Sequence, residues 1–259
     1  VLERNYAAVD QSLAGLFEVN VPAHADGHLH RLPPVPATSP DFVKRVTSLM
    51  IEGHGDRLPV SALPVDGTFP TATSRYEKRT IAAEIPIWDK ELCIQCGLCS
   101  YVCPHAAIRM KAFEPAAAAN APESFATLAW SAKDRPGQWM TIQVAPDDCT
   151  GCGVCVDVCP ARSKQAVKHK AINMEPIREH LDRERQNFEF FLQLPEADRA
   201  TVDRNSVKNS QLLLPLFEFS GACAGCGETP YLKLLTQLCG DRLLVANATG
   251  CSSIYGGNL

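Results

Sequence analysis

Eight cysteines in two matching runs set the chemistry this sequence can do. Cys93-Ile-Gln-Cys96-Gly-Leu-Cys99-Ser-Tyr-Val-Cys103-Pro104 follows C-x2-C-x2-C-x3-C-P, and Cys149-Thr-Gly-Cys152-Gly-Val-Cys155-Val-Asp-Val-Cys159-Pro160 repeats it. That spacing is a signature of [4Fe–4S] ligation. A cubane needs thiolates at four tetrahedral corners. One tight loop supplies three of them, and the fourth lies one helical turn on and ligates the cluster of the other loop. The expected ligand sets are therefore Cys93, Cys96, Cys99 and Cys159 for one cluster, and Cys149, Cys152, Cys155 and Cys103 for the other. Zinc sites use four ligands in two pairs, so two quartets sharing one tandem pattern speak against zinc and against reduced core thiols. Such clusters carry single electrons at potentials anywhere from about −700 to +450 mV, and their cysteines are ligands, not nucleophiles. Since each loop serves both clusters, the fold should be lost with the iron. Gly97 and Gly153 would let backbone N–H groups approach sulfur, and Pro104 and Pro160 are expected to start short helices.

Four further cysteines follow: Cys223, Cys226, Cys239 and Cys251. Cys239 sits beside Leu235 and Leu238 in an apolar helical stretch and reads as core. Cys223 and Cys226 form a C-x2-C flanked by glycines, and Cys251 follows an apolar run in a Gly/Ser turn. On spacing alone these three suit a third cluster with three ligands visible, a zinc site or a redox pair equally well. His24, His28 and His30 read as a solvated turn, because no acid or cysteine of suitable spacing accompanies them. His105 reads as a surface residue near a cluster. Asn247-Ala-Thr249 is formally a glycosylation sequon but sits in a reduced, iron-rich chain.

The elements that must position these groups are legible in outline. The chain has 259 residues, 46% hydrophobic and 21% charged, which is globular usage. Its 12 cysteines are clustered, unlike a secreted disulfide scaffold. A net charge of −4 gives no general argument for nucleic acid or an anionic membrane. No run approaches the roughly 18 apolar residues of a membrane span, and without a start Met or signal peptide the chain reads as a cytoplasmic section of something longer. An apolar period (Tyr6, Val9, Leu13, Leu16, Phe17) predicts a helix over 1–21. A short helix follows over Asp41–Glu52 with Ser39 or Asp41 as cap, then an extended connector over 53–83. Residues 84–174 hold an internal repeat: in each copy a strand, a cysteine loop, a short helix and a strand. The stretch 111–139, Ala-rich and Pro-containing, reads as a surface excursion between the copies. Residues 175–219 read as a linker helix pair, with Ile177, Leu181, Phe188, Phe191 and Leu192 facing in. Leu243–Ala246 reads as a strand. The fold class is α+β, with units at 1–31 (end of a preceding domain), 32–72 (extended linker or small domain), 73–176 (a two-cluster ferredoxin-like domain with an insertion), 177–219 (helical linker) and 220–259 (start of another domain).

Over essentially its whole length the chain resembles an internal section of the pyruvate:ferredoxin (flavodoxin) oxidoreductases. The resemblance is most specific in the tandem loops, in Gly-Ala-Cys-Ala-Gly-Cys-Gly-Glu-Thr-Pro-Tyr (221–231) and in Ala-Asn-Ala-Thr-Gly-Cys-Ser-Ser-Ile-Tyr-Gly-Gly-Asn (246–258). It implies a homodimeric enzyme of anaerobic metabolism that decarboxylates pyruvate on thiamine diphosphate with Mg. Electrons pass singly along three [4Fe–4S] clusters to ferredoxin or flavodoxin, and the acyl group passes to coenzyme A. The tandem loops would hold the medial and distal clusters. Cys223, Cys226 and Cys251 match three ligands of a proximal cluster whose fourth ligand lies far downstream. Glu228 and Cys251 match positions near the thiamine, Glu228 bonding it, and 220–259 would begin an α/β thiamine-binding domain. The carboxylate that activates the thiamine ring and the pyruvate-binding arginine belong to an earlier domain. The section alone is therefore expected to hold no catalytic residue and to act with the remaining domains of the enzyme. The competing reading is a stand-alone polyferredoxin-type module without catalytic role.

Overall fold

The computed structural model describes residues 2–24, 27, 33–248 and 250–257, in two units, Val1–Pro33 and Pro34–Leu259. In the first unit the predicted helix forms but ends early, as α1 (Leu2–Ala14). Gly15 follows, and its backbone freedom makes it a poor helix residue. Tyr6, Val9 and Leu13 are exposed, and His24 is exposed as expected. His28, His30 and the boundary at 31/32 lie outside the described residues.

The second unit opens with a π-helical turn, Val43–Thr47, that continues as α2 (Ser48–Ile51). Neither expected cap is used: Asp41 instead accepts from Arg45 one turn on (3.2 Å), and Ser39 is buried. The connector over 53–83 then makes three 3-10 turns, Gly55–Arg57, Val60–Ala62 and Thr73–Tyr76. Its end is pinned down. Thr80 N–H donates to the Asp147 carbonyl (2.9 Å), and Ala82 packs with Ile85, Val144 and Ile177.

The internal repeat is real. One copy supplies β1 (Glu84–Trp88), α3 (Leu98–Val102) and β2 (Ile108–Phe113). The other supplies β4 (Trp139–Val144), α4 (Val154–Asp157) and β5 (Ile172–Pro176), with β3 (Leu128–Ala129) between the copies. The strands pair across the copies: β1 runs antiparallel to β5, Ile87 opposite Asn173, and β2 antiparallel to β4, Met110 opposite Ile142. A lone two-stranded ribbon is marginal in water. Here Ile108, Met110, Met140, Ile142 and Ile172 from both sheets share one core with Cys99 and Cys155.

Four sequence expectations need correction. The insertion is no surface excursion: β3 extends the second sheet to the order β2-β4-β3, and Phe125 and Trp130 are buried. Its small-residue composition masked two aromatic anchors. The helix after β5 is α5 (Ile177–Gln193); it buries Ile177, Phe188 and Phe191, but Leu192 is 54% exposed. At 100° per residue Leu192 falls beside the Ile177–Glu184–Phe188–Phe191 face. Glu184 and Asn187 are buried on that face because Arg183 (2.8 Å) and Ser124 (2.9 Å) donate to them. The second linker helix is only the single turn α6 (Val207–Ser210), followed by buried Leu212 and Leu213. The C-terminal module contains α7 (Thr229–Cys239) and α8 (Cys251–Gly257). The strand expected over 243–246 does not form; Leu244 and Val245 are exposed, and among the described residues no strand lies beside them to take their backbone bonds.

Candidate iron–sulfur centres

Each cysteine loop turns twice through left-handed backbone. The second loop uses Gly151 (φ +68°) and Gly153 (φ +75°), and the first uses Gln95 (φ +58°) and Gly97 (φ +73°). The sequence pattern exposes the glycines and hides Gln95. A side chain in that conformation needs its surroundings to hold it, and the insertion does so. The Gln95 amide donates to the Ala129 carbonyl (2.7 Å), and its oxygen accepts from Ser131 N–H and hydroxyl (both 2.9 Å). These turns aim donors at sulfur. Gln95 N–H donates to Cys93 Sγ (3.4 Å), Gly151 N–H to Cys149 Sγ (3.4 Å) and Ala107 N–H to Cys103 Sγ (3.3 Å).

Pro104 and Pro160 do not start the short helices; α3 and α4 precede them. Proline offers no N–H and forces the residue before it out of helix. Cys103 is accordingly extended (ψ 117°) where α3 ends. The effect on the sulfurs is an exchange between loops. Cys93, Cys96 and Cys99 line a cavity together with Cys159, closed by Ile142, Ala161 and Ala171. Cys149, Cys152 and Cys155 line a second with Cys103, closed by Pro86, Val144 and Met174. These are the two quartets expected from the motif.

Burial, and after it the neighbouring sulfurs, push the Cys99 and Cys155 thiols up; burial raises Cys93 against the pull of the Gln95 N–H, and raises Cys149 to about 12. Sulfurs so placed ionise only against compensating positive charge, which a bound iron–sulfur cluster would supply. Among the described residues no three His, Cys, Asp or Glu side chains converge on one point as a single ion would require, with Zn–S near 2.3 Å. Four sulfurs around each void, with no carboxylate in either lining, fit an iron–sulfur cluster.

The approaches to the cavities are also built. Lys78 donates to Asp148 (2.5 Å) and Thr80 to Asp147 (2.8 Å), while Arg185 grips both Asp147 oxygens (2.8 and 2.6 Å). These carboxylates lie immediately before Cys149. Burial holds Asp148 up at about 6, against the pull of Lys78. On the other loop Lys208 stands 3.7 Å from the centre of the Trp130 ring and 3.4 Å from the Gln95 oxygen.

His105 is not a surface residue: it is 3% exposed and joins the loop domain to the C-terminal module. The Cys223 carbonyl can only accept, so His105 Nε2 donates to it (3.2 Å) and Nδ1 accepts from the Ser220 hydroxyl (3.3 Å). Burial pushes its pKa down, consistent with that neutral tautomer. Gly225 packs against Cys152, an added Cβ there falling 3.6 Å from the Cys152 Cβ.

Cys223 and Cys251 are exposed and Cys226 is half-buried, whereas the loop cysteines are all buried or half-buried. Burial works to raise the Cys226 thiol, but the N–H groups of Thr229 and Glu228 outweigh it and bring it down. Cys239 is half-buried at the end of α7, not deep core. Glu228 precedes α7 without capping it and lies beside Tyr255; burial and that carboxylate push the phenol up to about 12. Residues 244–248 are irregular and exposed, so Glu228 and Cys251 by themselves enclose no site for thiamine diphosphate within this section.

Residues 92–163, which hold all eight loop cysteines, match the 4Fe-4S dicluster domain family. Residues 28–82 match EKR, a domain of unknown function that ends where the connector meets the Cys149 loop. Over 261 residues the chain is 53% identical to the pyruvate-flavodoxin oxidoreductase of Rhodospirillum rubrum, with 100% of this chain and 22% of that protein aligned. The chain is homologous to a section of the pyruvate-flavodoxin oxidoreductases. The enzyme of that name from Nostoc is 52% identical over 269 residues (100% of this chain, 22% of that one). The pyruvate:ferredoxin oxidoreductase of Moorella thermoacetica is 49% identical over 258 residues (100% and 21%). The chain thus spans about a fifth of the length of these relatives. Among the described residues no helix is long and apolar enough to cross a membrane.

Proposed function

We propose that this chain is the electron-transfer section of a pyruvate:ferredoxin or pyruvate:flavodoxin oxidoreductase. Cys93, Cys96, Cys99 and Cys159 would hold one [4Fe–4S] cluster, and Cys149, Cys152, Cys155 and Cys103 the other. Bound clusters would supply one-electron transfer between the site of pyruvate decarboxylation, elsewhere in the enzyme, and a ferredoxin or flavodoxin. The observation that carries this reading is the exchange of Cys103 and Cys159 between the two cavities. Zinc ribbons and buried free thiols have no reason for it. The chain's own groups exclude water with Ile142, Val144 and Met174, offer N–H donors to three of the sulfurs, and hold both loops through Gln95, Lys78 and Thr80.

Cys223, Cys226 and Cys251 are proposed as three ligands of a third cluster, completed in the intact enzyme. Cys226 is the best prepared of them, since α7 directs its first N–H groups at the sulfur. Glu228 is proposed to bond thiamine diphosphate there, with Mg and the rest of its site contributed from outside this section. A stand-alone polyferredoxin is the weaker reading, because His105 and Gly225 bind the Cys223–Cys226 loop against the second quartet.

The decisive experiment is iron and acid-labile sulfide analysis of anaerobically purified protein. The two quartets predict about eight irons from the tandem loops, and a third complete site raises the total to about twelve. Zinc without sulfide would overturn the assignment. In the intact enzyme Glu228→Ala should weaken thiamine diphosphate binding with the tandem-loop irons retained; unchanged affinity removes that role.

A further inference from the structure

Most charged side chains buried in this protein have an ionic partner. Arg109 pairs with Glu218, Lys111 with Glu196 (2.6 Å) and Glu184 with Arg183 (2.8 Å). Lys233 is different. Its side chain is 1% exposed, and among the described residues no carboxylate stands within salt-bridge distance. The ammonium reaches from α7 into the last turn of α3, donating to the carbonyls of Ser100 and Tyr101 (2.9 Å to Tyr101). Those two residues lie between Cys99, which lines one cavity, and Cys103, which lines the other.

Two carbonyl dipoles at a helix C-terminus are partial charges and do not neutralise a buried cation. The remaining charged neighbour makes matters worse: the Arg109 guanidinium opposes the ammonium, while the sulfurs of Cys103 and Cys99 favour it. Burial, the largest influence, brings the amine down to about 8, which leaves it mainly protonated at neutral pH. A positive charge thus stands between the two sulfur quartets with no acid among the described residues to balance it.

We propose that Lys233 is the shared counter-ion of both iron–sulfur centres, a fixed cation that favours their reduced state. This rests on the cluster assignment above. A cubane held by four thiolates is anionic and gains one more negative charge for each electron it accepts. No bond forms or breaks, and the ammonium keeps its proton. A cation close to both centres stabilises the more negative state and raises both potentials. Because Lys233 belongs to α7, the helix that follows the Cys223–Cys226 loop, the C-terminal module sets the poise of the tandem centres as well as packing against them.

The test is a dithionite redox titration of the intact, anaerobically purified protein, followed by electron paramagnetic resonance beside iron and sulfide counts. Lys233→Met keeps the apolar stem and removes the charge. Both tandem centres should become harder to reduce, the reduced-to-oxidised ratio at a fixed potential falling about tenfold, which is 59 mV for one electron. Lys233→Arg should stay near the wild type. Lys208→Met, whose charge lies near Cys93 and Cys96, should move one centre only. Full iron content with unchanged potentials in Lys233→Met would overturn the proposal. If Lys233→Met and Lys233→Gln both lose iron while Lys233→Arg keeps it, the charge is again required. Loss from all three variants assigns Lys233 to packing and refutes the electrostatic role. Wild-type protein without iron or sulfide would instead refute the cluster assignment itself.

Discussion

Replacing Cys103 by alanine tests which sulfur belongs to which centre. Cys103 is four residues after Cys99 and belongs by sequence to the first loop, yet it lines the cavity of Cys149, Cys152 and Cys155. Removing it leaves three thiolates for that quartet and four for the other. The direct structural loss is small. One N–H donor, Ala107, loses its sulfur acceptor, about 1 kcal/mol for a neutral hydrogen bond, against the roughly 5–15 kcal/mol of a folded domain. The expected result is therefore the loss of about four of about eight tandem-loop irons, with the remaining centre, held by Cys159 as well as the first loop, still tying the two loops together. Metal analysis gives the count, and electron paramagnetic resonance shows which signal survives and whether the broadening between adjacent reduced centres is gone. Pairing variants makes the test sharp, because sites that act as one unit are not additive. Cys103→Ala combined with Cys152→Ala should lose no more iron than either alone, whereas Cys103→Ala with Cys96→Ala should lose both centres. Retention of half the iron in that last variant would refute the exchange of sulfurs between loops.

Gly97→Ala should destabilise more than Gly153→Ala. Both need left-handed backbone, about 1–2 kcal/mol for a side chain, but a Cβ at Gly97 also meets Lys208 Cα and Met110 Sδ at 3.2 Å, while Gly153 has nothing within 4 Å; guanidinium midpoints and iron retention compare them. Glu218→Gln strips the charge partner from buried Arg109 and should cost about 3 kcal/mol. Equal midpoints for variant and wild type would show that the pair contributes nothing. The contact between His105 and the Cys223 loop should weaken on acidification. Its folded pKa lies below its ordinary value, so the unfolded state binds the extra proton first, and stability is lost as pH falls through about 6.5. Asp148, raised to about 6, acts with the opposite sign, favouring the fold as pH falls below about 6. Limited proteolysis of 220–228 between pH 8 and 6 should show faster cleavage at the lower pH, and His105→Phe should remove the dependence.

Where the sequence was informative, the reason is local. Ligand spacing is dictated by cubane geometry, and a loop of three cysteines with left-handed turns needs no distant partner to be recognised, so both quartets and the strand–loop–helix–strand repeat were legible. Phe188 and Phe191 of α5 were placed correctly by helical period for the same reason. Gln95 was missed because what supports it, Ala129 and Ser131, lies about 35 residues away in sequence. His105 and Lys233 were missed because burial is a property of the assembled core, and a polar residue carries no mark of it in the chain. Leu243–Ala246 carries a strand's composition but, among the described residues, no neighbour to pair with. By itself the sequence determined which sulfurs can be brought together, since covalent spacing fixes what a loop can reach. Only the tertiary structure decided which charges, donors and modules surround those atoms, because electrostatics in a dry interior depends on distances that the order of residues does not encode.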